Sequence, residues 1–209
     1  MGDLIIKPAS SGSLKIQDQA GTNFITTGTS SGLTLGSGVT FPTHHVIQVV
    51  YFETSALDST TTNYASGFDD SDIVTTITPN SATNYLLMHA VVNGGNEASA
   101  YAIAFRFHIS GGGTDGVVGV PTAGVGNRVE VTAGGPQPTG AQQVTNYSFV
   151  KRVRCNDSIP NWSSGALTIK IQFATNSGGV ARINEAGSAS NTTDYTNTIS
   201  TLTIYEIQG

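Results

Sequence analysis

The stretch YAIAFRFHI, residues Tyr101–Ile109, has the clearest period of two in the chain. Large apolar side chains occupy its odd-numbered positions, at Tyr101, Ile103, Phe105, Phe107 and Ile109. Small or polar side chains occupy the positions between them, at Ala102, Ala104, Arg106 and His108. Because successive side chains of a strand point to opposite faces, the pattern predicts a strand with one face in a core and the other toward solvent or an interface.

The rest of the segment 43–209 contains further strand signals. Leu167–Phe173 alternates in the same way, Tyr85–Val92 is the most continuous apolar run, and a shorter strand is predicted at Arg128–Val131. Val46–Phe52 is apolar at both parities, which predicts burial on both sides. Only 11% of the residues are charged, Thr, Ser and Asn are abundant, and no long window has a helical period. We therefore predict an all-β head that forms a jelly-roll β-sandwich.

The first forty or so residues have a shorter rhythm, with strands of three or four residues separated by Ser, Gly and Asp turns. Seven apolar positions mark these strands, at Leu4, Ile6, Leu14, Ile16, Phe24, Leu33 and Leu35. A single copy leaves its strand edges open and buries too little apolar surface to offset the entropy of ordering. The prediction is an intertwined homotrimeric β shaft at residues 1–42, with the head at 43–209. The alternative is a flexible Gly/Ser-rich leader.

Charge and cysteine content exclude several classes of protein. A net charge of −5 and a pI near 5.1 argue against a general binder of nucleic acid or anionic membrane. The one basic cluster places Arg152 and Arg154 on one face of a predicted strand and Lys151 on the other, which favours a solvated or interface role. No cleavable signal or membrane-spanning stretch is expected. With Cys155 as the only cysteine, no intrachain disulfide forms, which suits assembly in a reducing cytosol.

Motifs with catalytic or ligand-binding potential are weak. The segment Gly111–Gly116 matches G-x-G-x-x-G, but the residues after it do not begin a helix, so a loop between strands is predicted. Asp69, Asp70 and Asp72 lack the spacing of an EF-hand, which favours a solvated acidic loop over a Ca²⁺ site.

The spacing of the histidines predicts no metal site within one chain. In a trimer, a metal or anion site formed by one histidine from each chain near the threefold axis remains an open alternative. No catalytic residue, metal ligand or cofactor is predicted, and the protein is not expected to be an enzyme. A polysaccharide depolymerase is the weakest alternative, since no convincing pair of carboxylates is present.

Several segments carry a resemblance to a known class of protein. Ile73–Ala82 (IVTTITPNSA), which runs into Tyr85–Met88 (YLLM), resembles a segment of tail-fibre and virion-surface fibre proteins of marine bacteriophages. Gly126–Arg128 and the terminal Ser200–Ile207 (STLTIYEI) are similar to later parts of such proteins. Leu4–Pro8 and Leu14–Asp18 resemble their leaders. The resemblance implies a trimeric fibre or spike whose jelly-roll head is similar to the tumour-necrosis-factor-like fold.

The function that this resemblance implies is that of a virion structural protein, assembled in the host cytoplasm and placed on the virion surface. Its expected partners are two further copies of itself, other virion proteins through the N-terminal segment, and a host-surface glycan or protein. Neither nucleic acid binding nor membrane insertion is expected. The predicted ligand-facing loop contains Tyr64, Phe68, Asp69 and Asp70. The alternative function is capsid decoration, in which a cement protein or head fibre stabilises the virion.

Overall fold

The computed structural model describes residues 15–17, 23–27, 33–35, 43–97, 102–121, 128–136, 143–176, 179–187 and 196–209. The chain divides into two compact units, Met1–His45 and Val46–Gly209. Within the described ranges all regular structure is β, and no helix is long and apolar enough to cross a membrane.

The first unit contains a small antiparallel sheet of three strands, with β1 (Lys15–Gln17) and β3 (Leu33–Leu35) on either side of β2 (Asn23–Thr27). Ile16 and Leu35 both lie opposite Ile25 in the register. Three of the predicted short strands are thus present. Of the predicted shaft side chains only that of Ile16 is described, and it is 50% exposed. Leu4, Ile6 and Leu14 lie outside the described residues, as do the side chains of Phe24, Leu33 and Leu35, so the shaft stays a prediction.

The second unit consists of two antiparallel sheets. The first sheet has the order β4–β14–β7–β11, and a short pair, β13 and β5, extends it beside the end of β7. The second sheet has the order β6–β12–β8, with β9 and β10 both on the far edge of β8. The strands span Val46–Thr54 (β4), Asp58–Thr60 (β5), Asp69–Ile77 (β6), Tyr85–Asn96 (β7), Ala102–Gly111 (β8), Thr114–Val118 (β9), Ala133–Pro136 (β10), Thr145–Arg154 (β11), Leu167–Thr175 (β12), Ala181–Ile183 (β13) and Ser200–Ile207 (β14).

The strand order identifies the sandwich as a jelly roll. If the eight principal strands β4, β6, β7, β8, β9, β11, β12 and β14 are counted from one to eight, the first sheet has the order 1-8-3-6 and the second 2-7-4-5. The chain crosses repeatedly between the sheets, which gives the double Greek key of this fold. The predicted fold class is confirmed.

The core lies between the two inner faces. Side chains alternate between the two faces of β8 and β12. Those on the inner face are completely buried: Ile103, Phe105, Phe107, Ile109, Leu167, Ile169, Ile171 and Phe173. This confirms the predicted inner face of each strand, except at Tyr101, which lies outside the described residues. From the first sheet, Phe149 packs against Phe105 and Phe107, with ring centroids 6.0 and 5.1 Å apart. Cys155 is also buried, and burial raises the pKa of its thiol to about 12.

Two sequence-based predictions about strands are wrong. In the single chain, β4 is an edge strand that turns Val50 and Phe52 toward the core, whereas Val49 and Tyr51 are more than half exposed. The predicted strand at Arg128–Val131 is irregular, and β9 and β10 pair with β8 instead. Gly111–Gly116 forms a hairpin turn and the start of β9, with positive φ at residues 111, 112 and 113, so the predicted loop is confirmed and no helix follows.

Candidate functional site

The outer face of the second sheet carries a connected polar network. Arg106 Nε donates to Gln172 Oε1 at 2.8 Å, and Gln172 Nε2 donates to Asp70 Oδ1 at 2.6 Å. Lys170 forms an ion pair with the same carboxylate. Burial alone would raise the pKa of Asp70, but the hydrogen bonds from Lys170 and Gln172 hold that pKa below its ordinary value. At the end of the network, the Arg106 guanidinium lies 4.1 Å from the centroid of the Phe68 ring.

Asp69 ties the loop before β6 to that strand. Its carboxylate accepts hydrogen bonds from the hydroxyls of Thr60 and of Thr62, the latter at 2.6 Å, and both lower its pKa. The same loop is fastened to β12, because Tyr64 N donates to Thr175 O and Thr175 N donates to Thr62 O, each at 2.9 Å. These bonds hold the backbone at Tyr64 in one place beside the end of the second sheet.

A cavity of about 430 Å³ lies at this end of the second sheet. Tyr64 and Arg128 line it from two segments that are far apart in sequence, and its other lining includes Ala102, Ala104, Val131 and Gly134. We call it the Tyr64–Arg128 pocket. Arg128 is the only charged residue among its described lining, and its side chain makes no hydrogen bond or ion pair with any described residue. Glu130, two residues further, lines a separate cavity of about 540 Å³ together with Lys151.

The outer face of the first sheet has the opposite character. Six side chains form what we call the apolar face: Val49, Tyr51, Leu87, Val91, Val150 and Tyr205. Val49, Tyr51 and Val150 are 54%, 58% and 54% exposed, which is unusual for large apolar side chains gathered on one sheet. Arg152 and Arg154 flank it on β11, with guanidinium carbons 4.7 and 5.5 Å from the centroid of the Tyr85 ring. The prediction that these two arginines share a face is confirmed.

A buried carboxylate joins two of the segments that carry the phage resemblance. Glu206 on β14 has no exposed surface and accepts hydrogen bonds from Asn80 N at 2.6 Å, Asn80 Nδ2 at 2.8 Å and Asn84 Nδ2 at 2.6 Å. Asn84 O also accepts from Cys155 N at 2.9 Å. The turn after β6 is thereby fixed to the last strand. Sequence reasoning did not single out Glu206, although an acidic residue inside an apolar alternating strand was the available signal.

The histidines and aspartates do not form a metal site among the described residues. His89 bonds Ser148 at 3.0 Å on the outer face of the first sheet, and His108 Nε2 lies 3.3 Å from Asp115 on the second. Asp69, Asp70 and Asp72 all lie within strand β6, so the prediction of a solvated acidic loop at these residues is wrong.

The four residues of the predicted ligand-facing loop have different surroundings: Tyr64 lies beside the end of β12, whereas Asp69 and Asp70 lie on the edge strand β6. Tyr64 lines the pocket, and Phe68 is stacked on Arg106, two positions along β8 from Ala104. The carboxylates of Asp69 and Asp70 accept hydrogen bonds from neighbouring side chains, which makes them positioning residues. Their role toward a ligand stays a prediction. The sequence analysis gave Arg128 only as the start of a predicted strand and as part of the phage resemblance, since nothing in its local sequence indicates that it shares a cavity with Tyr64.

No protein-family model and no curated protein sequence matches this chain. Among solved structures, it is similar to a chain of the Gx strain of infectious bursal disease virus, with 12% identity and a TM-score of 0.41 over 85% of this chain and 42% of that chain. A chain of another particle of the same virus gives 12% identity and a TM-score of 0.42, with 86% and 38% covered. A chain of T=1 particles derived from that virus has 13% identity and a TM-score of 0.37, and the match covers 93% of this chain and 44% of that chain. The chain spans less than half of these viral chains, and at such TM-scores their properties are not transferred to it.

Proposed function

We propose that this protein is a non-enzymatic virion structural protein that assembles as a short homotrimeric fibre or spike, with a jelly-roll head that attaches to the host surface. The observation that carries the proposal is the contrast between the two outer faces of the sandwich. The first sheet turns large apolar side chains outward around the hydrogen-bonded pair His89 and Ser148, whereas the side chains of the network on the second sheet are charged or amide groups. A sandwich with this contrast is suited to self-association through one face and to contact with solvent or ligand through the other.

The strand β4 supports self-association most directly. Its sequence has the two-sided apolar pattern of a strand buried on both faces, yet the single chain covers only one of them. Another copy of the chain would cover Val49 and Tyr51. Both faces of β4 would then be buried, as its apolar sequence predicts.

Charges at the two edges of the apolar face favour a cyclic arrangement. The β4 edge carries Glu53, and the opposite edge, on β11, carries Arg152 and Arg154. Edges of opposite charge favour head-to-tail contacts between copies, and such contacts form a ring when the rotation from one copy to the next closes after a whole number of copies. The short strands of the first unit and the phage resemblance support three copies. In such a ring the second sheet would face outward and present the Tyr64–Arg128 pocket in three copies, which gives avidity to weak binding.

Two measurements test this proposal. Mass photometry of the purified chain is expected to give particles of three 21.6 kDa subunits, and a folded monomer would refute the assembly. The labelled trimer is expected to bind host cells and to compete with infection. If virions that lack the protein adsorb normally but lose resistance to heat or osmotic shock, the protein is a capsid decoration protein instead.

A further inference from the structure

The Tyr64–Arg128 pocket has a floor that is almost free of side chains. Ala102 and Ala104 on β8 contribute only methyl groups, and Gly134 on β10, which lies opposite Ala104, contributes none. A Cβ atom at Gly134 would lie 2.7 Å from the carbonyl oxygen of Ile103, so a larger residue does not fit there without a shift of the backbone. The result is a shallow basin on the sheet, whose volume of about 430 Å³ suits a small ring-shaped ligand.

Val129 and Val131 add apolar surface to the lining, and its two side chains with polar groups, Tyr64 and Arg128, differ in chemistry. Tyr64 offers an aromatic ring and a hydroxyl, and Arg128 offers an exposed guanidinium with no described partner. A guanidinium binds a carboxylate through two parallel hydrogen bonds, which is stronger and more specific than a contact with a neutral oxygen. Since Glu130 lines the other cavity, no carboxylate among the described lining residues competes for Arg128.

We propose that this pocket binds an acidic saccharide, with the sugar ring packed against Tyr64 over the Ala–Gly floor and the sugar carboxylate paired with Arg128. The hydroxyl groups of the sugar remain hydrated at the open mouth of the basin. This inference rests on the proposed host-attachment function and names the ligand class of that function.

The surroundings of Tyr64 favour binding because they fix its backbone in advance. Tyr64 N is bonded to β12, and Ser66 N donates to Asn63 O at 2.7 Å within the turn that carries it. Thr60 and Thr62 are bonded in turn to Asp69. A loop that is already ordered loses little conformational entropy when the ligand binds.

The test is isothermal titration of the full-length protein with an oligosaccharide that ends in glucuronic acid, and with the same oligosaccharide after its carboxyl group has been reduced to the alcohol. The acidic sugar is expected to bind at least tenfold more tightly than the reduced one. Arg128→Gln and Tyr64→Ala are each expected to weaken binding of the acidic sugar by about 10- to 100-fold, the loss typical of a charge-assisted or stacking contact.

Two variants serve as matched controls. Tyr64→Phe keeps the aromatic ring, and its affinity for the acidic sugar is expected to lie within about threefold of that of the unmodified protein. This result would show that Tyr64→Ala weakens binding by removing the ring contact. Lys151→Gln removes one positive charge from the other cavity and is expected to leave binding unchanged.

Equal affinity for the acidic and reduced sugars, absence of binding to both, or binding that Arg128→Gln and Tyr64→Ala leave intact would overturn the inference. Measuring adsorption to host cells distinguishes a wrong pocket assignment from a wrong attachment function. If the unmodified protein adsorbs and the two pocket variants adsorb equally well, attachment stands and the pocket assignment is wrong. If the unmodified protein does not adsorb at all, the attachment function itself is wrong.

Discussion

Glu206 shows how a single side chain fixes the end of this chain. A buried carboxylate is stable only when its oxygens accept hydrogen bonds, and here three N–H groups of Asn80 and Asn84 supply them. Asn84 Oδ1 in turn accepts a hydrogen bond from Gly209 N at 3.2 Å. The last strand and the turn after β6 therefore share one buried polar cluster, which compensates for the burial of an acidic side chain on β14.

Replacing this carboxylate tests the cluster. Glu206→Gln is expected to lower the free energy of unfolding by about 2 kcal/mol, because an amide nitrogen then faces N–H donors that are left without an acceptor. Urea unfolding followed by tryptophan fluorescence measures the change. Glu97→Gln, at an exposed position directly after β7, is the matched control and is expected to change stability by less than about 0.5 kcal/mol. Equal stability of the two variants would contradict the role of Glu206.

His108 makes the stability of the head depend on pH. Burial lowers its pKa from the ordinary value of 6.5, although nearby Asp115 acts in the opposite direction. The unfolded chain therefore takes up a proton before the folded one does, so stability is complete above about pH 6.5 and falls as the pH drops through the folded-state pKa. Thermal melts from pH 7.5 to 5 are expected to show this fall, and His108→Gln is expected to make it shallower. An identical slope in the variant would exclude His108 as its source.

At the scale of elements, the loop between β5 and β6 is fastened by Asp69. Asp69→Ala removes two hydroxyl-to-carboxylate bonds and is expected to destabilise the head by about 1 kcal/mol, with faster amide hydrogen exchange at residues 60–66. Asp72→Ala on the same strand is the control. The backbone N–H of Asp72 donates a hydrogen bond to Asp58 Oδ2 at 3.1 Å, and the substitution keeps this N–H. If both variants exchange alike, Asp69 does not hold the loop.

How much of each strand is predictable depends on what covers it. The alternation in β8 and β12 predicted their buried faces correctly, because both strands lie over the core within one chain. In β4 the pattern predicted burial on two sides, but the structure buries one, since burial of an outer face depends on a partner that the sequence does not name. β9 and β10 were missed because they are short and Gly-containing, and the free edge of β8 supplies the pairing.

The candidate site was less predictable than the fold. Tyr64 and Phe68 were selected from a polar loop that does lie beside a cavity. Arg128 reaches the same cavity only through the fold, since the Tyr64 segment is bonded to β12 and the segment after Arg128 is bonded to β8. Asp69 and Asp70 were predicted to contact a ligand because they follow a polar, turn-rich segment of the sequence. Their partners Thr60, Lys170 and Gln172 come from neighbouring strands, and no local pattern shows that these carboxylates are already occupied.

For the whole molecule, we propose that the apolar face of the first sheet is the contact surface between copies of the chain. Val49 and Val150 lie at its two sides, on the edge strands β4 and β11. The double variant Val49→Lys, Val150→Lys is expected to dissociate the trimer, because contact between copies would bury unpaired charges at a cost of several kcal/mol. The sandwich itself is expected to stay folded, since both side chains already face outward from the core.

Mass photometry and circular dichroism of the same samples separate the two effects: loss of the trimer with an unchanged β-sheet spectrum is the expected result. Thr168→Lys, on the outer face of the second sheet, introduces the same side chain where charged residues are already present and is expected to leave the trimer intact. A double variant that remains trimeric would show that the copies meet through another surface. If Thr168→Lys also dissociates the trimer, contact through the apolar face alone is excluded.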